Sequence, residues 1–303
     1  MTLTETERLA EAAEKLGCAV KRGEPLAEHT TFRIGGASDV MITPDSAENL
    51  AKLVLLAREY GVRTLVLGKG SNMLCADEGF RGAVFLIDKP LGNIEVSGGT
   101  IRAGAGAPLI AVCTAALDAG LSGLEFAYGI PGTLGGGVYM NAGAYGGEMK
   151  DVVSSVTALD SSGAIHTYPA AELDLSYRHS RFSDTDEIII GAELELVKAD
   201  KADIKAKMDD LISRRRDKQP LNYPSAGSTF KRPEGDFAGR LIQESGLRGY
   251  AVGGAQVSEK HCGFVVNKGG ATCADVMAVI EHVQKTVQEK TGVLLECEVR
   301  IIK

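Results

Sequence analysis

The chain has no tryptophan, and phenylalanine and tyrosine make up only 5% of its 303 residues. Intrinsic tryptophan fluorescence therefore cannot mask a bound chromophore. No segment approaches the ~18 consecutive apolar residues of a membrane-spanning helix. Basic residues are outnumbered, 33 Lys and Arg against 40 Asp and Glu, for a net charge of -7. That balance lacks the basic footprint of a general nucleic-acid binder, although an anionic substrate needs only a few local cations. Cysteine is sparse and scattered: Cys18, Cys75, Cys113, Cys262, Cys273 and Cys297 have neither metal-ligand spacing nor the clustering of a disulfide framework. They read as reduced, mostly buried thiols of a cytosolic protein, and no metal site is expected. The N-terminal MTLTETERLAEAAEKLG reads as a charged amphipathic helix rather than a signal peptide.

The familiar phosphate-binding templates are missing too. Gly104-Ala105-Gly106 opens like a dinucleotide fingerprint, but Leu109 stands where the third glycine belongs. LGKGSN (67–72) contains Gly68-Lys69, but Gly70 replaces the hydroxyl residue of a P-loop and Arg63 replaces its first glycine. No G-x-S-x-G occurs, which sets hydrolase chemistry aside.

What the chain does have is GIPGTLGGGVYMNAGAYG (129–146). It is rich in glycine, yet Ile130, Val138, Tyr139 and Met140 give it side chains that pack, so it is no flexible linker. Glycines can form plain turns between strands. Glycine also lets another molecule approach the backbone amides closely, and successive N–H groups can then hold an anion. Together with LGKGSN, this loop is suited to lining one long diphosphate from two sides.

Hydrophobic periodicity predicts helices near 46–60, 108–119, 202–218, 237–245 and 273–290. Strands are expected near 63–67, 83–88, 101–105, 152–160, 164–168, 187–197 and 294–302, with a hairpin turn at Ser161-Ser162-Gly163. The composite is an α+β protein. Its expected blocks are 1–75 and 76–200, a two-part cofactor domain, and 201–303, a substrate domain.

Several residues are candidates for chemistry. Arg178 in SYRHSRF suits a bidentate carboxylate clamp, although a lone loop arginine is usually solvated. Ser228 in YPSAGSTFKRP can give or take a proton, against a default of turn chemistry. In LLECEVRIIK, Glu296 and Glu298 share the polar face of a period-two pattern, and either carboxyl could assist protonation. Lys218, with Arg214, Arg215 and Arg216, forms a local positive cluster. Such clusters commonly complement a helix C-terminus, and a pyrophosphate would give this one a second use. His261 reads as a neutral hydrogen-bonding residue. Spacing alone leads to an enzyme that uses a phosphorylated cofactor and an anionic substrate.

In order, HTTFRIGG (29–36), LGKGSN, GIPGTLGGGVYMNAGAYG, SYRHSRF, PSAGSTFKRP, LIQESGLRG (241–249), GGAQVSEKHCGFVVN (253–267) and LECEVRII (295–302) resemble the UDP-N-acetylenolpyruvoylglucosamine reductase family, in its shorter subclass. Eight motifs in the family's order over nearly the whole chain are a specific match. The resemblance implies a two-part FAD-binding domain of the vanillyl-alcohol-oxidase type and a C-terminal α+β substrate domain. It implies non-covalent FAD, with Gly68, Lys69, Gly70, Ser71 and Asn72 on one side of the diphosphate. Ile130, Pro131, Gly132, Thr133, Gly136, Tyr139 and Gly143 would lie on the other. NADPH would be the hydride donor, and UDP-N-acetylglucosamine enolpyruvate would be reduced to UDP-N-acetylmuramate for peptidoglycan. Arg178 and Glu298 match the residues that stabilise the enolate, and Ser228 matches the proton donor. Lys218, Tyr145 and His261 would contact the substrate. A monomer is expected. Gly137, Cys262, Cys297 and Arg232 depart from the family pattern, and Arg232 puts one substrate contact in doubt. Two other readings stand: an oxidase of the same fold acting on sugars or alcohols, and a protein that binds UDP-sugar or FAD without chemistry.

Overall fold

A computed structural model describes residues 3–303. The chain forms two compact units, each assembled from separated segments.

The first unit runs through Arg22, Asp39–Lys69 and Gly82–Arg214. One of its sheets has four strands in the order Ala19–Arg22, Ser38–Thr43, Phe80–Leu86, Thr64–Leu67. The last two pair in parallel, Thr64 opposite Ala83. Parallel strands need a crossover; here it is the segment 68–79, which carries the strand Met73–Cys75, while the helix Ala47–Glu59 leads into Thr64–Leu67 from Ser38–Thr43. That helix starts where Ser46 Oγ accepts from Asn49 N–H at 3.2 Å, an N-cap. It buries Leu50, Leu53 and Ala57 on one face, and the chain leaves it through left-handed Gly61 at φ 66.

The second sheet of this unit is antiparallel, in the order Ile165–Pro169, Val153–Leu159, Ile188–Glu195, Thr100–Gly104, Ile94–Ser97. The expected hairpin forms at 160–164, where Asp160 Oδ1 accepts from the N–H groups of Ser162 at 2.7 Å and Ala164 at 3.0 Å. Register shifts between Val153 and Ser155 and between Thr157 and Ala158 interrupt the strict in–out alternation of that strand, as bulges do. Val156, Leu194, Leu109, Val112, Leu134 and Val138 share one buried core.

The second unit comprises Gly23–Ser38, Gly70–Arg81 and Arg215–Lys303. Its centre is the helix Cys273–Thr291, which buries Val276, Val279, Ile280, Val283 and Val287. Thr272 and Asp275 close a reciprocal capping box at its start, and Gly292 at φ 76 ends it. A three-stranded antiparallel sheet, Ala251–Val252, Ala255–Val257 and Val265–Asn267, contributes to the same core. Phe32, Ile34 and Leu74 are buried there as well. This explains why two short N-terminal segments group with the C-terminal part, where the sequence suggested contiguous blocks. Apolar burial recruits chain regardless of its position in sequence.

Two local expectations change. The stretch 294–302 is not one strand: the ladder covers Arg300–Ile302, parallel to Met73–Cys75, and Cys297 makes only an isolated bridge to Phe230. The glycine loop contains a short helix, Leu134–Tyr139, capped by Thr133. All six cysteines are free, and burial pushes the thiols of Cys75 and Cys113 up to about 12.

Candidate active site

The predicted residues sort into two groups, one on each unit. The chain crosses from the first unit to the second between Lys69 and Gly70, so LGKGSN contributes to both.

On the first unit, the two glycine clusters meet. A Cβ on Gly68 would lie 2.6 Å from Thr133 Oγ1, closer than a Cβ and a non-bonded oxygen can pack. The segment Ile130–Thr133 is pinned by Leu109 N–H to Gly132 O at 2.9 Å, Leu134 N–H to Ala107 O at 2.8 Å and Gly135 N–H to Ala105 O at 2.9 Å. Ile130 packs on the core and Pro131 is exposed. Lys69 is exposed, and its ammonium pairs with Asp88 Oδ1 at 3.2 Å. The sequence reading did not single out Asp88, since nothing in sequence brings these two together.

The loop then continues to Tyr139, whose carbonyl accepts from Ser180 Oγ at 2.7 Å, and to Gly143, whose carbonyl accepts from Arg178 Nη2 at 3.2 Å. Arg178 therefore lies beside the glycine loop. It sits at φ 57, a left-handed conformation that costs a bulky residue ~1–3 kcal/mol. Tyr145 is exposed, at φ 54, on the turn between the paired segments Gly143–Ala144 and Gly147–Glu148. Gly143 has no room for a side chain, because a Cβ would come within 2.9 Å of Glu148 Cβ.

On the second unit, Ser228 follows left-handed Gly227 (φ 79) and precedes buried Thr229. Thr229 is bonded three times: its N–H to Gly263 O at 2.8 Å, its Oγ1 from Val265 N–H at 2.9 Å, and its carbonyl from Glu298 N–H at 2.8 Å. The last bond brings Glu298 to the segment carrying Ser228. Asn72 Nδ2 donates to Glu298 O at 3.1 Å, and Arg300 N–H donates to Asn72 O at 3.0 Å. On the same segment, the exposed carboxylate of Glu296 pairs with Lys231 Nζ at 2.5 Å.

Gly70 is tied in through its carbonyl, which accepts from Thr31 N–H at 3.3 Å, while Thr31 Oγ1 donates to Ser225 O at 2.7 Å. Ser71, next to Gly70, is half-buried. His261 Nδ1 accepts from Gly263 N–H at 3.1 Å. That nitrogen must be bare, so the ring is neutral with its proton on Nε2, and burial lowers its pKa. Lys218 ends the helix Lys201–Lys218 and is exposed. Arg232 lies over the Phe237 ring at 4.4 Å.

Residues 219–302 match the model for the UDP-N-acetylenolpyruvoylglucosamine reductase C-terminal domain, and residues 38–168 match an FAD binding domain. The UDP-N-acetylenolpyruvoylglucosamine reductase of Agathobacter rectalis is 50% identical over 314 aligned positions, covering 100% of this chain and 99% of the relative. This chain belongs to the UDP-N-acetylenolpyruvoylglucosamine reductase family. The Clostridium perfringens reductase is 52% identical over 92% of this chain and 91% of its own length. The solved reductase of Thermus caldophilus aligns with a TM-score of 0.81 at 36% identity, covering 94% of this chain and 100% of that one.

The reductase family uses FAD, and the glycine loop fits it. Gly135 is required by packing, since a Cβ would lie 2.8 Å from Ala105 Cβ, and Gly137 is tightly enclosed, with a Cβ position 3.2 Å from Leu109 Cδ1. Gly136 is different. It is exposed, and a Cβ there would meet only Thr133 Oγ1, at 3.6 Å. None of the described residues demands glycine at 136, so this face of the loop is open to a group lying against it. Asn141, left-handed at φ 38 in the same loop, is not among the residues read from sequence, although an asparagine inside a glycine-rich loop is itself a signal for left-handed backbone.

Proposed function

We propose that this chain catalyses the NADPH-dependent reduction of the enolpyruvyl group of UDP-N-acetylglucosamine enolpyruvate to UDP-N-acetylmuramate, a step of peptidoglycan precursor synthesis. The setting proposed is the cytoplasm and the working form a monomer. Among the described residues no helix is long and apolar enough to cross a membrane. The observation that carries the reading is the end-to-end identity with a reductase of that name, 50% over 100% of this chain.

FAD, when bound, carries hydride from NADPH to the terminal alkene carbon of the substrate. We assign the diphosphate of FAD to Gly68–Asn72 (67–72 in its motif) together with Ile130, Pro131, Gly132, Thr133, Gly136, Tyr139 and Gly143. The closeness of Gly68 to Thr133 supports the part of this assignment that lies on the first unit.

As the alkene is reduced, negative charge builds on the carboxylate side of the substrate. Arg178 is assigned to hold that charge, because a planar guanidinium matches a carboxylate with two parallel bonds. Its strained backbone supports a functional assignment. Glu298, protonated or sharing a proton, is assigned the same task. A fixed donor aimed at developing charge supplies ~3–4 kcal/mol. Ser228 then delivers a proton to the carbon adjacent to the one that received hydride, so the double bond gains both hydrogens. The bond from Glu298 N–H to Thr229 O supports a joint role for Ser228 and Glu298. Lys218 is assigned to the substrate pyrophosphate, with Tyr145 and His261 as further contacts. The neutral His261 offers Nε2–H as a donor.

An anaerobic absorbance series tests the whole reading. The purified protein should show a flavin spectrum that bleaches on adding NADPH and returns on adding the enolpyruvyl substrate. A flavin that bleaches but stays reduced would point to a different acceptor, and absence of flavin even after adding FAD would remove the reading's foundation.

A further inference from the structure

Ser176 and His179 form a two-bond bridge, Ser176 N–H to His179 O and His179 N–H to Ser176 O, both at 3.2 Å. Tyr177 and Arg178 are the two central residues of the resulting tight turn. Arg178 takes its third position at φ 57, where glycine or asparagine is favoured because the left-handed region crowds a Cβ. The surroundings must hold an arginine there.

One side chain is placed to do so. Asn141 is fully buried, 0% exposed, and itself left-handed at φ 38. Its Nδ2 donates to Ser176 O at 2.9 Å, the same carbonyl that closes the turn, and to Glu148 Oε2 at 2.6 Å. Its Oδ1 accepts from Lys150 N–H at 2.8 Å. Two residues further along the chain is Gly143, whose carbonyl receives the Arg178 guanidinium. One amide group therefore joins the base of the arginine's turn to the loop that accepts the arginine's head.

We infer that Asn141 is a positioning residue for Arg178: it fixes the Tyr177–Arg178 turn against the glycine loop, so that the guanidinium is aimed before substrate arrives. The inference rests on the assignment of Arg178 to the substrate carboxylate. Aspartate is excluded by the same geometry, since its carboxylate would face Glu148 Oε2 and could not donate to Ser176 O. Leucine or alanine would leave the Lys150 N–H without its partner.

The test uses the flavin-loaded protein with Asn141→Gly, which keeps the left-handed backbone, and Asn141→Asp, which keeps the acceptor for Lys150 N–H. Arg178→Lys and the double variants complete the cycle. Both Asn141 variants should reduce their flavin with NADPH near the normal rate and reoxidise it with the enolpyruvyl substrate about tenfold or more slowly. Adding either change to Arg178→Lys should slow reoxidation no more than about twofold further, because residues acting as one unit are not additive. Amide hydrogen exchange across residues 174–180 should quicken in both variants, while the helix Leu109–Asp118 keeps its protection.

Arg178→Lys reoxidising at the normal rate would overturn the assignment of Arg178, and this inference with it. A slow Arg178→Lys beside normal Asn141 variants would overturn this inference alone. Losses that multiply in the double variants, or equal slowing of both half-reactions with loss of flavin in both Asn141 variants, would likewise overturn it by showing a general structural role.

Discussion

Gly68 and Thr133 lie so close that a single added methyl would come within 2.6 Å of the Thr133 hydroxyl. That hydroxyl already accepts from Gly136 N–H at 3.4 Å as the cap of the helix Leu134–Tyr139. Two glycine clusters more than sixty positions apart in sequence thus share one threonine, which accounts for glycine at 68 by packing alone.

Gly68→Ala and Gly136→Ala should therefore fail differently. Overpacking at Gly68 should cost the apoprotein ~1–3 kcal/mol. At Gly136 the methyl has space, and alanine is the better helix former, so the apoprotein should keep its stability or gain up to ~1 kcal/mol. FAD should bind at least about tenfold more weakly to Gly136→Ala, because the methyl fills the face the cofactor would occupy. Urea denaturation of the apoproteins and FAD titrations separate the two effects. A Gly136→Ala protein with unchanged FAD affinity would disprove the proposed cradle.

Ser228→Ala should leave flavin reduction by NADPH near normal and nearly abolish reoxidation by the enolpyruvyl substrate. The serine is assigned only to the proton delivered after hydride transfer. Stopped-flow absorbance resolves the two half-reactions, and a normal reoxidation rate would end the serine's candidacy.

The two carboxylates of the C-terminal segment should behave unequally. Glu296 is 71% exposed and paired with Lys231, and exposed pairs contribute only ~0–1 kcal/mol. Glu296→Gln should therefore stay within about threefold of normal turnover. Glu298→Gln should lose about 10²–10³ in turnover, the usual cost of removing one donor aimed at developing charge. Steady-state rates on the two variants decide it, and a reversed order would transfer the role to Glu296.

His261 predicts a pH dependence of stability. Burial lowers its folded pKa below the ordinary 6.5, while the unfolded chain titrates near ~6.5. As pH falls through that value, the unfolded state takes up a proton that the folded state refuses, so stability falls with it. Above it both states are neutral and this contribution to the slope vanishes. His261→Asn, whose side-chain oxygen can still accept from Gly263 N–H, should flatten the denaturation free energy as pH falls below about 6.5. An unchanged slope would show that other groups govern it.

How much of this was legible in sequence varies element by element. The helix after Ser46 and the hairpin at Ser161-Ser162-Gly163 depend on local interactions: a cap, an aspartate accepting from its neighbours, glycines in left-handed turns. Such interactions span few residues, so a linear reading finds them. The stretch 294–302 misled because its alternation is real at Leu295 and Val299, yet a strand also needs a partner. Only Arg300–Ile302 finds one that extends a ladder, in Met73–Cys75, while Cys297 makes an isolated bridge to Phe230.

By itself the sequence determined the class of the protein, its family through eight ordered motifs, and the side chains suited to the chemistry. Residue type sets hydrogen-bonding capacity and charge, and these survive unfolding. Tertiary structure alone decided which neighbours those groups have. It gave Lys69 to Asp88 and Glu296 to Lys231, brought Glu298 to Thr229, and set Asn141 beneath the turn of Arg178. These pairings join residues 19 to 69 positions apart, and burial of apolar surface, not local preference, brings such distant segments together.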